Sequence, residues 1–199
     1  MKKLKSNLQN MVLVLVGVAL ICGGTLAYVN QLTKSAIDEQ AKKTLADGIK
    51  AVLDADDITV NSTSEKKRIV NGKEQTFVIY NTDKGVAVQS TDPNAFSGNL
   101  TVLVGFDGEG VIKGYTILAH AETPGLGAKA TEWFQEDQPG NIVGINPAKT
   151  NLTVKNDGGE INAITASTIT SRAFLRAVQQ AYSTFVEEKA NLSAADTDK

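Results

Sequence analysis

The sequence holds one cysteine, Cys22, and one histidine, His120, in 199 residues. A disulfide within the chain is therefore impossible. A multi-cysteine iron–sulfur site or a Cys/His zinc site is excluded, because each needs several such ligands. A histidine-based nucleophilic triad would have His120 or nothing. Neither a metal site nor a catalytic side chain is expected, so any redox chemistry must rest on an organic group or on another subunit. A strong charge of one sign is also lacking. The formal net charge is −2, which gives no general attraction to nucleic acid.

What is present is an ordinary balance of 42% hydrophobic and 21% charged residues, that of a globular domain. No charge occurs between Lys5 and Lys34. Residues 11–29, MVLVLVGVALICGGTLAYV, form an apolar run that spans about 29 Å as a helix, close to the hydrocarbon thickness of a bilayer. Lys2, Lys3 and Lys5 precede it. The positive-inside rule then keeps residues 1–10 in the cytoplasm and places the rest outside. Tyr28 stands where an interfacial aromatic belongs. A cleaved signal peptide is the alternative, with Thr25-Leu26-Ala27 as a small-x-small site. The run is long for such a peptide, which favours an uncleaved anchor. Ile21 directly before Cys22 is too large for a lipobox, so Cys22 reads as a small apolar residue of the membrane helix.

Residues 30–56 form a juxtamembrane linker with helical pattern. Ile37, Ala41, Leu45, Ile49 and Leu53 recur every four residues among charged ones, and Gly48 is the weak point, costing about 1 kcal/mol relative to alanine. Residues 57–190 form the main domain. Arg68–Val70 and Thr76–Tyr80 flank Asn71-Gly72, a short-turn signal, and Val86–Val88 follows. Leu100–Phe106 and Val111–Leu118 flank Asp107-Gly108-Glu109-Gly110 as a second hairpin. A short helical piece is expected around Ala128–Phe134. The strongest helix is expected over 161–188, with Ile169, Ala173, Phe174, Ala177, Val178, Ala181, Tyr182 and Phe185 as its apolar stripe. Residues 191–199 are polar and read as a flexible tail. The class is α+β: one membrane helix, then an antiparallel sheet with helices packed on it.

Two motifs carry chemistry. Thr165-Ala166-Ser167-Thr168-Ile169-Thr170-Ser171 stands at a helix start, where unpaired amides and a partial positive charge suit a phosphate. Its hydroxyls are also points for ester attachment. Plain N-capping is the commoner reading of such residues on physical grounds alone. The second is His120-Ala121-Glu122-Thr123-Pro124-Gly125-Leu126-Gly127-Ala128-Lys129. Its glycines let a flat ligand lie against backbone, and Lys129 offers a charge to balance a phosphate or a reduced ring. A surface loop joining strand to helix is the alternative. A lone histidine such as His120 is more often structural than catalytic. Trp133 and Phe134 read as core more readily than as a stacking platform.

Together the motifs resemble the FMN-binding domain family, and within it the G subunits of Rnf-type complexes. Glu122-Thr123-Pro124-Gly125-Leu126-Gly127 matches that family's ETPGLG segment. Ile164–Ala173 resembles its flavinylation segment, ISGATITSRA. Ala166 stands where glycine is usual and Ser167 where alanine is usual. Asn162 takes the place of an aspartate that opens the recognition motif. The resemblance implies FMN attached covalently, through a threonine phosphoester, to Thr168. Thr165, Ser167, Glu122, Thr123, Gly125, Leu126 and Lys129 are the implied surroundings of the cofactor.

It further implies an electron-relay subunit of a membrane complex in the bacterial inner membrane. Its domain would be periplasmic, and the complex would exchange electrons between ferredoxin and NAD⁺ while moving sodium ions or protons. Expected partners are the other subunits, a flavin transferase and membrane lipid, with no nucleic acid. Three alternatives remain: the C subunit of the sodium-translocating NADH:quinone reductase, an anchored non-redox ectodomain that binds a ligand, and a free-standing extracellular flavoprotein reductase.

Overall fold

The computed structural model describes residues 8–70 and 72–197. Lys2, Lys3, Lys5 and Asn71 of the expected turn lie outside the described residues. The chain divides into two compact units, residues 1–44 and 45–199. The first is helical. Helix α1 (Leu8–Leu53) contains a window of mean hydropathy 2.4 with none of its residues buried, long and apolar enough to cross a membrane. Thr25 and Thr33 donate their hydroxyls back to the carbonyls of Ile21 and Val29, 2.8 and 2.9 Å away. Their polar groups are thus satisfied inside the helix, as a lipid-facing segment requires.

In the second unit the last turns of α1 belong to the fold. The four-residue stripe is buried only at its end: Ile37 is exposed, whereas Ile49 and Leu53 are buried, joined by Val52. Gly48 is no mere weak point. A Cβ there would stand 3.1 Å from Thr116 Cγ2 and 3.3 Å from Leu103 Cδ2. The helix ends in a left-handed turn at Asp54 (φ 50°), with the Ala55 amide donating to the Lys50 carbonyl. Lys113 Nζ donates to the Leu53 carbonyl at 2.8 Å, a cation on a helix C-terminus, where the dipole favours it.

Five strands follow: β1 (Val60–Val70), β2 (Lys73–Thr82), β3 (Val86–Ala95), β4 (Gly98–Phe106) and β5 (Ile112–Ala119). They form an antiparallel meander in sequence order. Every expected strand segment falls within this sheet except Val111, one residue short of β5. The polar first half of β1 carried no apolar signal. It is an edge strand, tied to the second long helix by Lys66–Glu188 at 2.9 Å and Arg68–Glu187 at 2.8 Å. One sheet face packs against the end of α1 through Ile49, Val52, Leu53, Tyr80, Ala87 and Leu103. The other buries the larger core with Ile79, Val102, Val104, Phe134, Phe174 and Val178.

A 3-10 turn (Gly127–Lys129) and helix α2 (Ala130–Trp133) occupy the expected short helical piece. Phe134 is fully buried and stacks on Phe174 at 4.3 Å. Buried Tyr115 clips this segment to β5. Its hydroxyl donates to the Ala130 carbonyl at 2.7 Å and accepts from the Phe134 amide. Burial pushes that phenol well above its ordinary pKa.

Helix α3 spans Thr168–Thr197, not 161–188. Residues 161–167 are held out of the helix. Ile161 bridges to Val154, Ala166 takes a left-handed backbone (φ 61°), and Ser171 Oγ accepts the Ile164 amide at 2.9 Å. At its far end α3 continues past Asn191, where polar composition suggested a loose tail. Ala194 and Ala195 there favour helix.

Candidate functional site

The two motifs meet in one cavity of about 320 Å³, a size at the low end for small-molecule sites, roughly 300–1,000 Å³. The first wall is the turn into α3. The Ser167 amide donates to the Ile164 carbonyl, and the Ser167 carbonyl accepts from both the amide and the hydroxyl of Ser171. These bonds fix the chain just before Thr168, the first residue of the helix. The amides of Thr168, Ile169 and Thr170 have no acceptor among the described residues. Such free amides at a helix start form an anion site. Thr168 is half-buried and its hydroxyl carries no hydrogen bond among the described residues.

The second wall is the loop after β5. Thr123 accepts the amides of Leu126 and Ala128 through one carbonyl, both at 3.2 Å, which winds the loop. Gly125 has φ 77°, a conformation that glycine adopts without penalty. Glu122 joins the walls. It is 7% exposed. Its Oε2 accepts the Thr170 hydroxyl at 2.7 Å and its Oε1 accepts the Phe96 amide at 2.9 Å. A Cβ on Gly127 would stand 2.3 Å from that carboxylate and 2.7 Å from Thr170 Oγ1. Gly127 is thus required for the buried carboxylate to reach the helix. A buried carboxylate needs such donors to offset its lost hydration.

The third wall is the turn between β3 and β4. Asp92, almost wholly buried, takes a two-pronged ion pair from Arg176 of α3 at 2.8 and 3.0 Å and accepts the Asn94 amide at 2.8 Å. This pins the turn that carries Phe96. Among the described residues of 45–199, seven large apolar side chains are exposed, and three of them, Phe96, Leu126 and Ile169, line this one cavity. The site thus offers an apolar rim beside a cluster of hydroxyls and free amides.

Of the residues singled out in the sequence, Thr168, Ser167, Glu122, Thr123 and Leu126 line the cavity. Thr165, Gly125 and Lys129 do not. Thr165 is exposed, Gly125 shapes the loop, and Lys129 is exposed at the end of the 3-10 turn. His120 only accepts the Glu122 amide at 3.2 Å. Phe96 and Thr170 were missed as site residues. An aromatic set among turn formers, Asn94 to Gly98, was the available signal for the first. For the second it was a hydroxyl two places past Thr168.

The second unit is thus an α+β domain whose hydroxyl-rich helix start and glycine-bearing loop line one cavity. Residues 95–183 match the FMN-binding domain family model. Residues 1–52 match that of the RnfG N-terminal region. The chain is 35% identical to the ion-translocating oxidoreductase complex G subunit of Salmonella typhi, over 79% of this chain and 81% of that one. It is 31% identical to the G subunit of Shewanella piezotolerans over 89% of each. It is 34% identical to that of Escherichia coli K12 over 79% and 81%. The chain belongs to the family of ion-translocating oxidoreductase complex G subunits.

Proposed function

We propose that this protein is the electron-relay flavoprotein of an Rnf-type membrane oxidoreductase, with FMN esterified to Thr168. What carries the reading is one juxtaposition. Thr168, Ile169 and Thr170, whose helix-start amides have no acceptor among the described residues, line the same cavity as Phe96 and the Glu122–Gly127 loop. The residues fit the group. The amides and the hydroxyls of Ser167 and Thr168 suit a phosphate. Phe96, Leu126 and Ile169 suit a flat apolar ring. FMN, when bound, supplies one- and two-electron transfer.

This chain's own residues bind and orient. Glu122 locks the loop to the helix start through Thr170. Asp92 and Arg176 fix the turn carrying Phe96. Loading is a group transfer by a flavin transferase with FAD as donor. An Oγ–P bond forms at Thr168, the pyrophosphate P–O bond of FAD breaks, AMP leaves, and the hydroxyl proton passes to a base of the transferase. No oxidation state changes in that step. The partners are the other subunits of the complex, which exchanges electrons between ferredoxin and NAD⁺ and moves sodium ions or protons. The domain stands on the periplasmic side of the inner membrane, where a covalent link prevents loss of the cofactor.

The test is flavin fluorescence in the denatured gel band after coexpression with a flavin transferase. Wild type should fluoresce and Thr168→Ala should be dark. Membranes carrying Thr168→Ala should also lose ferredoxin-dependent NAD⁺ reduction. A dark wild type, with the transferase active on another substrate, overturns the covalent reading and favours a non-redox ligand-binding ectodomain.

A further inference from the structure

The Glu122 side chain accepts two hydrogen bonds, from the Thr170 hydroxyl and the Phe96 amide. Neither bond demands a charge. A glutamine of the same shape would accept the Phe96 amide and donate to Thr170 Oγ1. It would also avoid the desolvation that makes a buried carboxylate costly. The fold therefore does not need the charge, and a buried charge that the fold does not need points to function.

Nor is the charge neutralised. Among the described residues no cation pairs with Glu122. Arg172 is engaged by Asp157 and Arg176 by Asp92. Lys129 is exposed and does not line the cavity. His120 Nδ1 accepts the Glu122 amide at 3.2 Å, so that nitrogen carries no proton and the ring is neutral. The positive end of α3 is close, but a phosphate on Thr168 takes up its amides. An unpaired carboxylate, 7% exposed, thus stands on the wall of a cavity of about 320 Å³. Buried charges of this kind are weakly screened.

We infer that the Glu122 carboxylate sets the redox potential of the flavin, holding it low through its charge. The inference rests on the cavity being the FMN site. Reduction takes two electrons from a donor, dithionite in the test below, and one proton from water. The ring system gains one negative charge. A fixed carboxylate on the same cavity opposes that gain and favours the oxidised form.

The experiment is an anaerobic redox titration of the full, flavin-loaded chain in detergent. Flavin absorbance is followed, so only loaded molecules report. Glu122→Gln should favour the reduced flavin about tenfold, a rise of about 30 mV in the two-electron midpoint. Glu122→Asp keeps the charge and should stay within about threefold of wild type. Thr170→Val removes the hydroxyl that offsets the charge. It should shift the midpoint the other way, favouring the oxidised flavin about threefold. Glu188→Gln removes a carboxylate about 30 Å along α3 from Thr168, far beyond the screening length, and should leave the midpoint unchanged.

An unchanged or lowered midpoint in Glu122→Gln overturns the inference. A Thr170→Val midpoint that rises as far as that of Glu122→Gln overturns it too, because a loosened wall then explains both. If Glu122→Gln fails to fold or load, Thr170→Val decides, and a midpoint there at or above wild type overturns the inference. A native wild type without flavin overturns the proposed function and this inference with it. A loaded protein whose midpoint ignores Glu122→Gln overturns this inference alone.

Discussion

Among the places in the second unit where crowding demands glycine, two differ in what comes close. On one face of the sheet, a Cβ on Gly105 would stand 2.1 Å from the Val52 carbonyl, and one on Gly114 would stand 3.2 Å from it. There, helix backbone lies directly on strand backbone. At the cavity, a Cβ on Gly127 meets only side-chain atoms, those of Glu122 and Thr170. The first seat is a joint between rigid elements. The second is a gap left open for a carboxylate. A joint fails as a unit when crowded, whereas a gap can deform at the expense of what it holds.

Gly105→Ala should therefore have the largest effect. Neither backbone can yield about 1 Å without unseating the last turns of α1, so the variant should lose about 3 kcal/mol, the upper range for overpacking. Urea unfolding of the full chain in detergent measures this. Flavin loading of the molecules that remain folded should match wild type. A loss of loading in that fraction would mean that the two faces of the sheet are coupled.

Gly127→Ala inverts the pattern. Glu122 and Thr170 can swing aside, so the stability loss should be smaller, about 1–2 kcal/mol. Loading at Thr168 should fall further than that loss accounts for, because Glu122 no longer ties the loop to the helix start. Equal losses of loading in Gly127→Ala and in Gly105→Ala, measured on folded protein, would erase the distinction.

These two seats were unequally legible in the sequence. Gly127 belongs to a compact run, Glu122–Gly127, and such a run announces itself. Gly105 and Gly114 sit singly in strands, and the helix they admit lies more than fifty residues earlier in the chain, so no local pattern betrays them. The same holds within the site. Thr168, Ser167, Glu122, Thr123 and Leu126 were readable because each stands in one of two short motifs. Phe96 and the Asp92–Arg176 pair were not, because they reach the cavity through a β3–β4 turn that only the strand pairing places there. The start of α3 was set seven residues early because apolar spacing cannot register a left-handed alanine. The polar first half of β1 was invisible for another reason: it is an edge segment whose side chains, Ser64 donating to Glu188 of α3 among them, leave no periodic apolar trace.

That edge supplies a third, weaker contact. Burial pushes Glu188 up, but hydrogen bonds from Lys66 and Asn81 outweigh it and hold the carboxyl below its ordinary value. A lowered folded-state pKa means stability that is fully present above the ordinary carboxylate range. It is lost as pH falls through the lower folded value. The contribution should be roughly 0.5–1 kcal/mol, since Lys66 keeps some exposure and screening limits such pairs. Glu188→Gln should remove that part of the acid sensitivity, which sets in as pH falls below the ordinary carboxylate range, seen as a flatter melting-temperature profile. An unchanged profile would assign the acid loss to other carboxylates.

The smallest effect runs in the favourable direction. Ala166 holds φ 61° directly before the Ser167 turn, and a left-handed alanine costs about 1–2 kcal/mol. Glycine removes that strain but adds freedom to the unfolded chain, worth roughly 0.5–1 kcal/mol. Ala166→Gly should therefore raise stability by only about 0.5 kcal/mol, a shift of a degree or two in melting temperature. Glycine at the joint and at the gap is demanded by crowding. Ala166 is exposed, so only the backbone angle argues for glycine there. Gly105 and Gly127 should accordingly reject alanine while position 166 tolerates either residue, and loading at Thr168 should stay at the wild-type rate. Slower loading by Ala166→Gly would show that the methyl group of Ala166, which lines the cavity, helps hold the turn in the form the transferase meets.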